Sequence, residues 1–175
     1  MQGLILDLRG NPGGFLDASI HLADKFISRG LIVSTRGRSP KEDVDYKAHD
    51  LGTDKTPLIV LIDKDSASAS EIFAGAIRDH RRGLVVGECS YGKGSVQGIF
   101  PLTASPVGVR LTTAKFYSPN GQAISGQGVT PDVLVQEVNK PPVAIGNAPK
   151  VFADPVLDTA VKLLRKEVLA VVPQR

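Results

Sequence analysis

The sequence contains no tryptophan, and a single cysteine among 175 residues. That lone cysteine, Cys89, excludes an internal disulfide and a cysteine-rich zinc site. Aromatic residues make up only 5% of the chain, and the densest basic group is Arg78, Arg81 and Arg82. Because nucleic-acid binding usually needs a basic face with interleaved aromatics, the composition favours solvated surface charge over a nucleic-acid partner.

No apolar run approaches the ~20 residues of a membrane helix. Residues 1–14 have neither the basic start nor the cleavage site of a secretory signal. They resemble a buried strand that enters a turn. Since a domain rarely opens on a central strand, we expect this chain to belong to a longer one, with any export signal upstream.

Strands and helices alternate through the first ninety residues, which predicts an α/β fold. Short apolar runs indicate strands, and a helical spacing of apolar residues indicates helices. The predicted strands cover residues 3–8, 31–35, 57–63 and 84–86, and the predicted helices cover 16–27 and the segment that starts at Ser68.

The second half of the chain is predicted to be β-rich, with alternating residues over 95–117 and a short last strand at 131–135. Residues 36–56 are polar and predict an exposed loop. We divide the chain into a core at 1–138, a linker at 139–153 and a C-terminal helix at 154–175 that packs on the core. Asp154 is the expected cap of that helix, with Pro155 in its first turn.

Ser68 stands in DSASASEIF, where a buried strand leads into a helix. Unpaired backbone N–H groups and the positive end of the helix dipole converge at a helix N-terminus, where they would stabilise an oxyanion beside the serine. Ser68 also begins a Ser-x-x-Glu pattern with Glu71, the signature of a capping box. By itself, this pattern favours a plain cap over a nucleophile.

Lys93 lies between two glycines in SYGKGSV. A lysine that acts as a general base must be neutral, whereas an unperturbed lysine, with a pKa of about 10.4, is neutral in only about one molecule in 2,500 at pH 7. Burial away from counter-charges would favour the neutral form, and flanking glycines allow close backbone approach. The same pattern also fits an ordinary exposed lysine.

The residues Gly87, Gly92 and Lys93 also fit the first part of a phosphate-binding loop, G-x-x-x-x-G-K. That motif continues with Ser or Thr, which holds Mg²⁺, and opens a helix. Here Gly94 follows, and the next residues, SVQGIFP, are a poor helix start. The pattern therefore disfavours nucleotide binding.

The histidines His21, His49 and His80 stand in no recognisable catalytic motif. His80 and Cys89 could in principle form a thiol nucleophile pair. No motif supports that pair, and a small buried thiol is the favoured interpretation of Cys89. We expect neither a metal nor a cofactor.

Five segments together resemble the C-terminal processing peptidases, also called tail-specific proteases. They are DLRGNPGG (7–14), SASASEIFAGAIRD (66–79), GECSYGKGSVQ (87–97), TTAKFYSPNGQAI (112–124) and GVTPDV (128–133). They occur in order and cover most of residues 3 to 135. The resemblance implies a crotonase-like, layered α/β core with a β-rich second half.

The resemblance further implies a Ser–Lys dyad, with Ser68 as nucleophile and Lys93 as general base. Gln97 matches the residue that orients the lysine. Since Lys93 and Gln97 are four residues apart in an extended segment, they would share one face of a strand. The backbone N–H groups of Ala69 and Gly14 are the expected oxyanion donors.

Two acidic residues, Glu71 and Asp79, match positions with supporting roles in the family. In a continuous helix Asp79 would return to the face of Ser68 after about three turns. Without its upstream domain, the chain is expected to have a mobile 87–94 loop and an unassembled dyad.

The resemblance implies a serine endopeptidase that cleaves proteins near their C-terminus. The expected partners are substrates with accessible C-terminal tails and the chain's own upstream PDZ domain. Homo-oligomers could form through an exposed sheet edge, and the expected location is periplasmic or otherwise exported. The alternative is an inert crotonase-like binding or scaffold module in which Ser68 is only a cap.

Overall fold

The computed structural model describes residues 1–50, 52–102, 107–136 and 153–171. The strands are β1 Leu4–Asp7, β2 Leu31–Gly37, β3 Val44–Lys47, β4 Leu58–Ile62, β5 Leu84–Gly87, β6 Ser95–Pro101, β7 Gly108–Tyr117 and β8 Val133–Leu134. The helices are α1 Leu16–Asp24, α2 Ala69–Asp79 and α3 Pro155–Val171, with a 3₁₀ turn at Pro40–Glu42. The predicted α/β class and β-rich second half are confirmed.

The first sheet is parallel and has the strand order β1-β4-β5-β8. Its strand β4 is buried along its whole length because both faces of the sheet are covered. Leu58, Val60 and Ile62 belong to the apolar cluster that contains α2, whereas Ile59 and Leu61 belong to the cluster that contains α3. The helices α2 and α3 therefore lie on opposite faces of this sheet.

The second sheet is antiparallel and has the order β3-β2-β7-β6. Helix α2 contacts it through β2 and contacts the parallel sheet through β5. Every residue of α2 from Ala69 to Ile77 is buried, as expected of a helix packed on several sides. Two sheets thus hold the helix that follows Ser68.

Several element boundaries differ from the prediction. Helix α1 ends at Asp24, and the apolar residues Phe26 and Ile27 enter the core after it; Phe26 packs edge-on against Phe73 at 6.1 Å. The predicted loop 36–56 contains the 3₁₀ turn and β3. As an edge strand β3 is largely exposed and needs few apolar residues, so its pattern was too weak to detect.

The predicted C-terminal helix is present as α3, which spans Pro155–Val171; residues 172–175 of the predicted range lie outside the described residues. Residues 139–152 of the predicted linker lie outside the described residues. Within the described part of the chain, no helix combines the length and apolarity needed to cross a membrane.

Three loops leave the same edge of the parallel sheet, at the carboxyl ends of adjacent strands. We name them after the predicted roles of their residues: the oxyanion turn (residues 9–14, after β1), the nucleophile turn (63–68, after β4) and the lysine loop (88–94, after β5). Ligand sites of open α/β sheets form at this edge. The fold therefore brings the predicted site segments together.

Candidate active site

Ser68 has an unusual backbone conformation, with φ 58° and ψ −116°. Residues that cap helices normally have extended backbone angles. A non-glycine residue in a sparsely populated region costs on the order of 1–3 kcal/mol, and such strain is concentrated at functional sites, including serine nucleophiles on strand-to-helix turns. A residue that only caps a helix does not need this strained backbone conformation.

The oxyanion turn packs directly against the nucleophile turn. Gly13 has φ 95°, and a Cβ placed there would lie 2.6 Å from the carbonyl oxygen of Ala67 and 2.8 Å from the backbone nitrogen of Ala69. Only glycine permits this approach. Within the described residues, the N–H groups of Ala69 and Gly14 make no hydrogen bond, so both remain able to donate to a ligand.

Hydrogen bonds hold these two turns together. Asp63 accepts from the backbone of the oxyanion turn, and the carbonyls of Leu8 and Asn11 accept from the nucleophile turn and the start of α2. These bonds are Gly10 N–H to both Asp63 carboxylate oxygens (2.9 and 3.0 Å), Ser66 Oγ to Leu8 O (2.8 Å), Ala67 N–H to Asn11 O (3.0 Å) and Ser70 Oγ to Asn11 O (3.1 Å).

The Glu71 carboxylate joins Ser68 to the lysine loop. Its Oε2 accepts from the backbone N–H groups of Ser68 (2.7 Å) and Lys93 (2.8 Å). Its Oε1 accepts from the N–H of Gly92 (2.7 Å) and from Ser90 Oγ (2.5 Å). Glu71 is fully buried, and a buried carboxylate needs such partners. It fixes the backbone of both predicted dyad residues relative to each other.

Further bonds anchor the lysine loop. Tyr91 N–H donates to the carbonyl of Ser66 (3.0 Å), and Ser90 N–H donates to that of Val129 (3.2 Å). These contacts and those of Glu71 fix the backbone of the loop. They do not support the prediction that residues 87–94 are mobile.

The side chains of Lys93 and Gln97 are both exposed. Within the described residues, the Lys93 amine has no hydrogen-bond partner, so the Ser68–Lys93 contact is not formed. Lys93 lies two residues before β6, which begins at Ser95, so the expected common strand of Lys93 and Gln97 is not formed. The role of Gln97 stays a prediction.

Asp79 lies at the far end of α2, whose 11 residues place it about 16 Å along the axis from Ser68. Its Oδ1 accepts from Arg78 Nε (3.1 Å) and Nη2 (2.9 Å), and its Oδ2 accepts from the N–H of Asn120 (3.0 Å). These contacts hold the turn after β7, so any effect of Asp79 on the site is indirect.

Arg9 is a residue of this region that the sequence analysis did not single out. Its guanidinium donates to Asp154 (Nη1 to Oδ1, 2.9 Å; Nη2 to Oδ2, 2.8 Å) and to Asp7 (Nη2 to Oδ2, 2.7 Å). Hydrogen bonds from Arg9 hold the pKa of Asp7 and that of Asp154 below the usual range. Arg9 stands in the DLRGNPGG motif, but nothing local indicates a partner 145 residues away.

A pocket of about 200 Å³ opens between α1 and α2, beside Gly14 and Ala69. Among the described residues, no titratable side chain lines it. Its apolar wall is formed by Leu8, Phe15, Ala18, Leu22, Ala69 and Phe73. This pocket would accept an uncharged side chain of a bound peptide.

The structure decides against two alternatives. Lys93 is followed by β6 and not by the helix that a phosphate-binding loop requires. Cys89 is exposed, which corrects the expected burial, and its thiol contacts the carbonyl of Gln127 (3.4 Å), while His80 Nε2 lies 2.6 Å from the carbonyl of Leu31. These two side chains therefore do not form a nucleophile pair. In the described ranges, no cluster of three metal-ligating side chains occurs.

Solved protease structures share this fold. A photosystem II D1 C-terminal processing protease superimposes with a TM-score of 0.72 at 37% identity, over 78% of this chain and 35% of that one. A putative peptidase from Parabacteroides merdae matches with a TM-score of 0.68 at 23% identity, over 93% of this chain and 52% of that one, and supports the fold alone. The fold is that of an α/β peptidase core.

Sequence relatives define the family. A carboxy-terminal-processing protease of Bartonella bacilliformis is 52% identical over 139 residues, which are 78% of this chain and 32% of that protein. A tail-specific protease of Haemophilus influenzae is 39% identical over 144 residues, 78% of this chain and 21% of that protein. The model of peptidase family S41 matches residues 1–135. The chain belongs to peptidase family S41, which confirms the resemblance, and it spans a third or less of these curated relatives.

Proposed function

We propose that this chain carries the catalytic centre of a serine endopeptidase that cleaves proteins near their C-terminus. The observation that carries the proposal is the strained Ser68, set at the start of α2 beside the N–H groups of Ala69 and Gly14, which have no hydrogen-bond partner among the described residues. In this proposal Ser68 is the nucleophile and Lys93 the general base, with Gln97 orienting the lysine.

In the reaction, the neutral amine of Lys93 takes the proton of Ser68 Oγ while the hydroxyl attacks the peptide carbonyl. The N–H groups of Ala69 and Gly14 stabilise the resulting oxyanion. Lys93 then protonates the leaving amine, which departs as the new N-terminus. Water, activated by the same lysine, releases the acyl group and restores Ser68.

The shared contact with Glu71 supports assembly of this dyad. The backbone N–H groups of Ser68 and Lys93 donate to one carboxylate oxygen. Reorientation of the lysine side chain would therefore bring its amine to Ser68 Oγ without refolding of the loop. A substrate that covered the site would exclude water and favour the neutral amine.

The pocket beside Gly14 supports a preference at the cut. A substrate carbonyl bound between the two N–H donors would place the adjoining side chain near this apolar pocket. We therefore propose that the residue before the cleaved bond is uncharged and apolar. A charged side chain would lose its hydration there without gaining a partner.

The position of the cut and the compartment rest on the relatives. Two of them are named for C-terminal processing or tail specificity, and another is named a chloroplastic C-terminal processing peptidase of Tetradesmus obliquus. We propose that substrates present accessible C-terminal tails to an upstream PDZ domain, and that the protein acts in an exported compartment.

The Lys93 amine is exposed and has no partner in the described part of the chain. This favours a second candidate, an inert binding module in which Ser68 serves only as a cap. Replacement of Ser68 by Ala and of Lys93 by Met in the full-length protein separates the two. A peptidase should lose cleavage of a C-terminally tagged protein by about a thousandfold or more in each variant.

A matched control is Lys115→Met, which removes another exposed lysine and should leave cleavage unchanged. A fluorophosphonate should label Ser68 in the unmodified protein and not in the Ser68→Ala variant. Continued cleavage by Ser68→Ala would refute the proposed peptidase, and so would the absence of both cleavage and labelling in the unmodified protein.

A further inference from the structure

We infer that helix α3 positions the oxyanion turn, with Asp154 holding Arg9 as the connecting contact. The inference rests on the proposed function, because it concerns the donor Gly14. It assigns a positioning role to a helix on the opposite face of the sheet from Ser68.

The contact between Arg9 and Asp154 is a two-pronged ion pair, with N–O distances of 2.9 and 2.8 Å. The Arg9 side chain is 17% exposed and that of Asp154 is 32% exposed. Paired hydrogen bonds of this kind fix orientation as well as distance. The position of the Arg9 guanidinium therefore depends on the position of Asp154.

Asp154 is in turn fixed by the docking of α3. Its Oδ1 accepts from the N–H of Leu157 (2.9 Å), so the carboxylate is bound to the first turn of the helix. The helix packs by Val156 and Ala160 against the outer face of the parallel sheet. Docking thus sets the carboxylate at the sheet edge from which the oxyanion turn leaves.

Asp7, which also binds Arg9, cannot connect the turn to a separate element. Asp7 is two residues away and also accepts from the Arg9 N–H (3.0 Å), so it moves with the same piece of chain. Asp154 belongs to a separate element. With Asp63 and the nucleophile turn holding one side of the oxyanion turn, the pair with Asp154 restrains the other side.

The test uses Asp154→Asn in the full-length protein. Asparagine is as good a helix cap as aspartate, so the bond from Leu157 can persist while the charge is lost. An oxyanion donor acts in the transition state, so kcat should fall about fivefold or more with KM unchanged. The control Asp158→Asn alters an exposed carboxylate one turn along the same helix and should leave kcat unchanged.

A second measurement does not depend on activity. In Asp154→Asn, amide hydrogen exchange of residues 10–15 should accelerate, while exchange within α3 stays as in the unmodified protein. Unchanged exchange in the turn overturns the inference, and so does faster exchange with unchanged kcat. Equal acceleration across α3 also overturns it, because the effect would then be general unfolding.

The two proposals can fail separately. If the unmodified protein cleaves the tagged substrate and reacts with the fluorophosphonate no better than Ser68→Ala does, the proposed function is refuted. The amide exchange measurement alone then decides whether α3 restrains the oxyanion turn. If the unmodified protein is active and Asp154→Asn matches it in kcat, only the positioning role is lost.

Discussion

Ser90 Oγ, in the loop that carries Lys93, donates a buried hydrogen bond of 2.5 Å to Glu71 Oε1. The same hydroxyl accepts from the backbone N–H of Val129 (2.7 Å). One serine side chain thus joins α2, the lysine loop and the segment before β8. Together with the bonds of Gly92 and Lys93 to Glu71, these contacts fix the lysine loop against α2.

Replacement of Ser90 by Ala should lower the free energy of unfolding by about 1–3 kcal/mol, because the buried N–H of Val129 loses its acceptor. Urea unfolding of the variant measures this loss. The matched control is Ser118→Ala, since Ser118 is equally buried and its hydroxyl has no hydrogen-bond partner in the described structure. That change should be neutral or slightly stabilising, and equal losses in both variants would contradict the assigned role of Ser90.

Glu71→Gln should reduce both stability and cleavage. The carboxylate accepts four hydrogen bonds, and a glutamine amide would direct its own N–H groups at some of these donors. We expect the free energy of unfolding to fall by about 2–4 kcal/mol. Urea unfolding and amide exchange of residues 90–93 measure the effect.

The comparison for Glu71 is Asp50→Asn, an exposed carboxylate that should change neither measurement. If Glu71→Gln were as stable as the unmodified protein, with the lysine loop equally protected, Glu71 would not be the residue that links Ser68 to Lys93.

The sequence predicted this arrangement in part. The Ser-x-x-Glu pattern led to Ser68 and Glu71 because their contact is local, three residues apart on a helix. It could not show that the same carboxylate reaches Gly92 and Lys93, because those contacts depend on the packing of two loops. Local patterns specify helices and turns, whereas long-range pairing is set by tertiary structure.

The differences between the predicted and the observed structure also arise where tertiary contacts, and not local patterns, set the structure. The sequence predicts Lys93 and Gln97 on one strand, whereas β6 begins only at Ser95. The edge strand β3 is too polar to differ from a loop. The pair between Arg9 and Asp154 spans 145 residues and has no sequence signature.

Gly13→Ala should be strongly destabilising. The residue has φ 95°, and an added Cβ would collide with the backbone of Ala67 and Ala69. We expect a loss of about 2–4 kcal/mol. Gly14→Ala is the control for stability alone, because a Cβ at Gly14 would lie within 4 Å of no atom of the described residues. Thermal unfolding should separate the two variants, and a similar melting temperature for both would show that the oxyanion turn can move away from Ser68.

The ion pair of Asp154 predicts a dependence of stability on pH. Its hydrogen bonds with Arg9 lower the pKa of the folded carboxyl, so its contribution is fully present above the unfolded pKa of about 3.9 and is lost as the pH falls through the folded value. The unmodified protein should therefore be more stable than Asp154→Asn by a constant margin from about pH 7 to 5. That margin should shrink below about pH 4. Urea unfolding midpoints measured from about pH 7 to below about pH 4 test whether the stability margin shrinks as the pH falls. Asp158→Asn should match the unmodified protein at every pH. A margin that persists unchanged at the lowest pH would mean that the charge of Asp154 contributes nothing and that the substitution acts through packing alone.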